Sequence, residues 1–443
     1  MNVRAMGALL RSRQTSCLEL VQQAIDRAKQ QEELRAFIAL TAAQAVAEAA
    51  ERDRELQSGV DRGPFHGIPI AFKDLFYTRG VPTTAGSKVF ENFVPDFDAT
   101  VVERLRAAGA ISLGKTNMHE LAFGITSLNP HYGSVLNPID KSCLAGGSSG
   151  GSAAAIAAGI VPMALGTDTG GSIRIPASYC GVVGLKPTYG VVSRHGVLPM
   201  AFSLDHVGPL GSCVEDCALT MNVIASTPTE FNLPPLENLK GLRVGVPRNF
   251  FFDRLDKGVI TAVSRSLTAM ERAGALVSDI RTPDFADLNV AAPFVQFAEF
   301  ASLYVQQHDP SIIGADVWAL LEQGRMVAGH EYVNAQRLRT VFRREMDTLW
   351  QKVDLLVTPT TPIAAPSADQ VDVTVAGVEE TVRMASTRLV RGFNYLGEPA
   401  LSMPCGKTAN GMPVGLQLVG APFTEARVLQ VSKTLEGMLE WQP

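Results

Sequence analysis

Short apolar runs alternating with amphipathic stretches constrain this chain more than any other feature. Ile70-Ala71-Phe72 reads as a buried strand that ends on Lys73 and Asp74. From Asp98 the order is a helix from Ala99 to Ala108, a stop at Gly109, and a strand from Ala110 to Leu113. A helix from Ser152 to Ala158 and a strand from Met163 to Leu165 repeat it. So do Leu242 to Val246, a helix from Val259 to Ala273, and Leu276 to Ile280. Further on, Leu355 to Val357, Ala400 to Met403 and Val414 to Leu418 read as strands, the last two flanking Asn410-Gly411, a hairpin signal. Strands alternating with helices, closed by a late hairpin, predict an α/β fold with a mixed sheet.

The first sixty residues read as helices. Ser16-Cys17-Leu18-Glu19 forms a capping box, and Thr41 with Gln44 repeats the device. No repeat or low-complexity linker interrupts the 443 residues, so 1–443 is expected to be a single domain. Within it, 1–60 supplies N-terminal helices, 61–230 the core that carries the chemistry, and 281–350 a mostly helical stretch suited to a cap.

Composition enters to exclude partners. With 46% apolar and 19% charged residues the chain has ample core material, which rules out disorder. The net charge is −5 and no basic run occurs, against nucleic acid or an anionic membrane surface as partner. The longest apolar stretch, Ala153 to Leu165, contains Gly159 and Pro162 and falls short of the ~20 residues a spanning helix needs. The opening MNVRAMGALLRSRQ has too brief an apolar part for a signal peptide, so a cytoplasmic location is expected. The six cysteines read as reduced core residues, with Cys213 and Cys217 spaced for one helix face. The histidines at 66, 119, 131, 195, 206, 308 and 330 never take the i, i+4 spacing of a helical metal site. Neither metal nor cofactor is expected.

Two glycine-serine segments carry the chemistry. Gly146 to Ser152 precedes an alanine-rich helix, and Gly166 to Ser172 follows a strand. Glycines let backbone approach a ligand, so the two segments are suited to gather hydroxyls and N–H groups around one carbonyl. A phosphate loop would need Lys then Ser/Thr after its last glycine, and none is present. Gly147-Ser148-Ser149-Gly150-Gly151 matches a nucleophile elbow with Ser149 as nucleophile, although the preceding Asp140 to Leu144 is mostly polar. Asp168-Thr169-Gly170 is half of an aspartic protease site, and no second half exists.

The chain resembles the amidase signature family of serine hydrolases. The resemblance runs from Gly67-Ile68-Pro69-Ile70-Ala71-Phe72-Lys73-Asp74 to Gly415–Gly420, and its core is the two glycine-serine segments continued through Ser172-Ile173-Arg174-Ile175-Pro176-Ala177 to Gly184-Leu185-Lys186-Pro187-Thr188. It implies a large, twisted mixed β-sheet flanked by helices on both faces. It also implies a catalytic lysine at Lys73, a bridging serine in a cis peptide at Ser148, and a nucleophile at Ser172. The oxyanion hole falls on the amides of Thr169, Gly170, Gly171 and Ser172. Burial at the end of an apolar strand would drop the Lys73 pKa from ~10.4 and make it a base. Asp168 and Ser152 are candidates to orient Lys73 by hydrogen bonds, with turn and cap chemistry as their other reading. Asn117, Tyr132 and Ile175 are candidate substrate-binding residues; Arg174 reads as a structural ion pair.

Two activities remain within the family: a free-standing hydrolase of amides, carbamates or ureas, and the glutaminase component of a transfer-RNA amidotransferase. Amidotransferase glutaminases commonly read Ser-Ile-Arg-Gln-Pro-Ala at the nucleophile, where this chain has Ile175. They also carry an aspartate for the glutamine α-amino group, and Met384 to Tyr395 has no acidic residue. The reading favours a hydrolase acting on a neutral amide, carbamate or urea derivative, uncharged near the scissile bond and with an apolar or aromatic acyl or leaving group, with walls from Phe123, Ile125, Tyr132, Phe393 and Tyr395. Arg339, Arg388 and Arg391 stand against it wherever one faces the pocket. A homo-oligomer is left open.

Overall fold

The fully apolar core of β2 (Pro69–Lys73) belongs in the middle of a sheet, because a strand buried on both faces has no polar side to give to water. The computed structural model, which describes residues 1–307 and 309–439, puts it there. His308 lies outside the described residues.

The other strands are β1 (Phe37–Leu40), β3 (Ile111–Thr116), β4 (Met163–Asp168), β5 (Val183–Lys186), β6 (His206–Gly211), β7 (Arg243–Pro247), β8 (Leu276–Ile280), β9 (Leu355–Pro359), β10 (Asp372–Val375), β11 (Val378–Thr381), β12 (Ala400–Lys407) and β13 (Pro413–Val419). Ten of them join β2 in one eleven-stranded sheet in the order β1-β3-β2-β4-β6-β5-β12-β13-β9-β7-β8. It is mixed: β2 runs parallel to β3 and β4, β7 parallel to β8 and β9, and the pairs from β4 through β6, β5, β12 and β13 to β9 are antiparallel. Helices flank it on both faces.

Local signals explain much of this. Ser16 accepts from the Glu19 amide at 3.1 Å while Glu19 accepts from the Ser16 amide at 2.9 Å. Thr41 does not repeat the device; its hydroxyl donates to the Ser112 carbonyl and leaves the helix cap unmade. The hairpin at Asn410-Gly411 joins β12 to β13, with Gly411 at φ 83. Cys213 sits half-buried at a helix N-cap rather than in the core, while the other five cysteines are buried.

Several elements escape the sequence pattern. β1 lies inside the stretch expected to be helical, and pairs antiparallel with β3. β5 and β6 are interrupted by glycine and proline, which dilute the apolar signal. The β10–β11 hairpin turns at Ala376 (φ 51) and Gly377 (φ 81), a left-handed pair of the kind two-residue hairpins require. Residues 281–350 fold largely into helices Phe285–Leu303, Ala315–Arg325 and Gly329–Trp350. The first of these reaches the pocket described below.

Candidate active site

The parallel pairing of β2 and β4 aligns Ala71 with Ala164 and Phe72 with Leu165, which leaves Thr167 near enough to the end of β2 for the Lys73 side chain to reach it. Lys73 is fully buried, and its Nζ donates to Ser148 Oγ at 2.8 Å and to Thr167 Oγ1 at 2.7 Å. Burial pushes its pKa down to about 7, against the smaller opposing pull of Asp168 and Asp205. A lysine with hydroxyl partners and no carboxylate in contact is poised to be neutral near pH 7.

Ser148 follows a cis peptide bond from Gly147 and stands just before the helix Gly150–Ala157. The two glycine-serine segments meet through backbone: the Ser149 amide donates to the Ser172 carbonyl at 3.1 Å. Among the described residues no hydrogen bond joins the Ser148 and Ser172 hydroxyls. Ser149 turns inward, its Oγ donating to the Thr167 carbonyl at 3.1 Å.

Asp168 holds the second segment in shape. Its Oδ1 accepts from the Gly171 amide at 2.7 Å and from Asn394 Nδ2 at 2.7 Å, and its Oδ2 accepts from the Ile173 amide at 3.1 Å. Arg174 Nε pairs with the same carboxylate at 3.0 Å, and its guanidinium extends to Gln417 Oε1 and Asn394 Oδ1. Burial opposes ionisation of Asp168, yet the Arg174 guanidinium holds its carboxyl well below the usual carboxylate range. Removing either partner would strand a buried charge, a loss of about 3–5 kcal/mol. Gly171 has φ 117, and an added Cβ would lie 2.4 Å from Val390 Cγ2, so no larger residue fits.

The remaining amides of Thr169, Gly170 and Ser172 make no internal hydrogen bond among the described residues. These three residues line a narrow cavity together with Phe123, Ile125, Gln296, Arg383 and Arg391, among others. It shares walls with a larger cavity of about 620 Å³, to which Pro293, Phe297 and Leu320 contribute.

Comparison with known proteins agrees. The family model described as Amidase matches residues 19–429. The chain belongs to the amidase signature family. It is therefore a hydrolase of carbon–nitrogen bonds. It is 38% identical to the A subunit of glutamyl-tRNA(Gln) amidotransferase from Chloroflexus aurantiacus, over 100% of this chain and 97% of that protein. A crystal structure of an amidase superposes with a TM-score of 0.93 at 38% identity, covering 99% of this chain and 100% of the other. The native peptide amidase from Stenotrophomonas maltophilia gives a TM-score of 0.87 at 30% identity, covering 100% and 98%.

Against that family background, several expected residues sit elsewhere. Neither Asp168 nor Ser152 hydrogen-bonds Lys73; Ser152 Oγ is spent on Thr116 Oγ1 and the Leu165 carbonyl. Thr167, unread from the sequence, takes the orienting position, because only the β2–β4 register reveals it. The Gly171 amide, expected in the oxyanion hole, is committed to Asp168. Asn117 uses its Nδ2 on the Arg35 and Gly133 carbonyls and its Oδ1 on the Met118 amide, a backbone clasp rather than a pocket contact. Ile175 packs behind Gly171 with Ile125, Tyr179 and Val390.

Of the expected wall residues, Phe123 and Ile125 line the cavity and Tyr132 does not. Phe393 stacks on Phe251, and the Tyr395 hydroxyl donates to the Ala335 carbonyl. Arg339 reaches the Ser203 carbonyl at 3.0 Å and Arg388 the Arg254 carbonyl at 2.8 Å, while Arg391 faces the pocket. Arg383, which the sequence does not single out, faces it too. No helix among the described residues is long and apolar enough to cross a membrane.

Proposed function

We propose that this chain hydrolyses small amide-type substrates by acyl transfer through Ser172, with Ser148 as relay and Lys73 as base. The observation that carries this reading is the buried Lys73 amine, 2.8 Å from Ser148 Oγ and with its pKa lowered to about 7. A serine hydroxyl needs a base to become nucleophilic, and a neutral amine at this position is one. Ser172 Oγ bonds to the carbonyl carbon while its proton passes through Ser148 to Lys73. The amides of Thr169, Gly170 and Ser172 meet the oxyanion; one such donor is typically worth ~3 kcal/mol. The C–N bond then breaks and the leaving amine takes the proton back through Ser148. Water, deprotonated along the same line, replaces Ser172 and frees the acid.

The test is covalent labelling. A fluorophosphonate should add mass to the peptide containing Ser172. Label on Ser149 instead would favour the nucleophile-elbow esterase, a reading already weakened by the bond that holds its hydroxyl on Thr167.

Another reading has a specific observation behind it, the full-length likeness to a glutamyl-tRNA(Gln) amidotransferase component. That relative is named as one part of a larger enzyme, so glutamine turnover by this chain would call for partner proteins. The cavity residues weigh against glutamine: the narrow cavity has no carboxylate among the described residues for an α-ammonium group. A panel of amides, carbamates, ureas and glutamine, read by product mass spectrometry with and without amidotransferase partners, separates the two. Glutamine as best substrate would replace the free-standing hydrolase.

A further inference from the structure

The pocket beside Ser172 is walled by two arginines, neither of which makes a salt bridge among the described residues, although the charge of Asp316 acts on Arg383. Arg391 is 5% exposed; its Nη2 donates to Thr387 Oγ1 at 2.8 Å, and its Nε is buried without a hydrogen-bond partner. Arg383 lies over the rings of Phe123 and Phe297, 5.4 and 5.7 Å from their centroids. Both line the narrow cavity and the larger one. Burial lowers their pKa values, Arg391 to about 9 and Arg383 to about 10, so both stay cationic at neutral pH.

The acid inventory is sparse. Among the described residues no Asp or Glu lines the narrow cavity, and in the larger one Asp316 alone does, with a side chain 59% exposed and bonded to His119 Nε2 at 3.0 Å. Contrast Arg174, whose guanidinium is fully engaged by Asp168, Gln417 and Asn394. A second unpartnered group, Gln296 Oε1, is also buried at the pocket. One is a donor and the other an acceptor, and both lie near one spot: a Cβ added to Gly170 would lie 3.8 Å from Gln296 Oε1 and 3.9 Å from Arg391 Nε. The arginine suits a carboxylate and the Gln296 oxygen an amide N–H. Gly170 is one of the amides assigned above to the oxyanion, so this spot borders the reacting carbonyl.

A buried guanidinium without an anion is unfavourable, and a planar carboxylate is the group whose geometry matches its donors. We infer that the substrate is an amide carrying its own carboxylate, which Arg391 and Arg383 bind beside the scissile bond. The inference rests on Ser172 as the reacting residue, and it departs from the uncharged substrate expected from the sequence. Phe123, Ile125 and Phe297 then hold the short apolar part between the two groups. An α-ammonium next to that carboxylate would meet two cations, with the exposed, His119-bonded Asp316 as the one acid among the described residues of the cavity walls, so a plain carboxylate is preferred to an amino acid.

Binding to the full-length Ser172→Ala protein tests this without requiring turnover. Calorimetry compares malonamate, succinamate and glutaramate each with its neutral diamide, and glutaramate with glutamine. At least one anion should bind about 10–100-fold more tightly than its diamide, the range set by hydrogen bonds to a charged group. Glutaramate should also bind more tightly than glutamine. Adding Arg391→Gln, or Arg383→Gln if the first variant unfolds, should remove most of the anion's advantage. The carboxylate subsite is wrong if every diamide binds as well as its anion, if the preference survives both substitutions, or if glutamine binds more tightly than glutaramate. Those results leave the Ser172 assignment standing, which fails separately if fluorophosphonate does not label Ser172 in the wild-type chain.

Discussion

Lys73 and Lys115 occupy neighbouring parallel strands, both fully buried, and the sheet register sets Phe72 beside Lys115 and Lys73 beside Thr116. They differ in partners. Lys115 Nζ lies 3.0 Å from Asp74 Oδ1 and also donates to the Phe76 carbonyl and Thr83 Oγ1. Among the described residues, Lys73 Nζ hydrogen-bonds only to the hydroxyls of Ser148 and Thr167. Burial lowers both pKa values, but a contacting carboxylate favours the ammonium of Lys115 and gives it an ion pair to keep. Two lysines of equal burial thus diverge by what touches the amine: one ties strands together, the other is free to exchange a proton.

The largest effect that would break the comparison is on turnover. Lys73→Met should cut kcat by about 10²–10⁴-fold, the usual worth of a general base. The thermal midpoint should hold or rise, because no buried carboxylate is orphaned. A variant within tenfold of wild type would remove Lys73 from the chemistry. Lys115→Met should do the reverse, destabilising by about 3–5 kcal/mol because Asp74 is left buried and unpaired. Denaturant unfolding measures it, and the double variant Lys115→Met/Asp74→Leu should regain part of the loss. A Lys115 variant as stable as wild type would make the buried pair energetically idle.

What the sequence reveals of this contrast follows from range. Ile70-Ala71-Phe72 followed by Lys73, and the two glycine-serine segments, are local signals, so the buried strand and the candidate trio are legible. Thr167 is not, because its role depends on how β4 registers against β2. Asp168 reads as a partner for Lys73, yet its carboxylate turns to the Gly171 and Ile173 amides and to Arg174. Arg383 escapes the sequence because the β10–β11 hairpin before it has only Ala376-Gly377 as a turn signal. Without that hairpin nothing fixes where the helix Val382–Arg388 begins or which way Arg383 faces. The sheet itself is legible where strands are continuously apolar and illegible at β5 and β6, where glycine and proline interrupt them.

A smaller effect sharpens the account of Lys73. Its neutral form is the active one, so with a pKa near 7 in the fold kcat should rise about tenfold per unit below pH 7 and level off above pH 8. A flat profile from pH 5 to 8 would contradict a titrating base. The acid limb should also disappear from the residual activity of Lys73→Met, since no other group then carries that proton.

The smallest effect concerns Thr167, whose hydroxyl accepts from Lys73 Nζ at 2.7 Å. That bond favours the ammonium, opposing the desolvation that favours the amine. Thr167→Val keeps the shape and removes the acceptor, so the Lys73 pKa should fall further and the acid limb should move to lower pH by less than one unit. A net hydrogen bond of about 0.5–1.5 kcal/mol also helps aim the amine at Ser148, so plateau kcat should drop by less than about tenfold. Thr167→Ser, which retains the hydroxyl, should restore the limb to its wild-type position. If Thr167→Val instead moved the limb to higher pH, the hydroxyl would be favouring the amine by donating to it. A loss as deep as that of Lys73→Met would make Thr167 part of the proton path. Either result would mean that Lys73 differs from Lys115 by an active partner and not simply by the absence of a carboxylate.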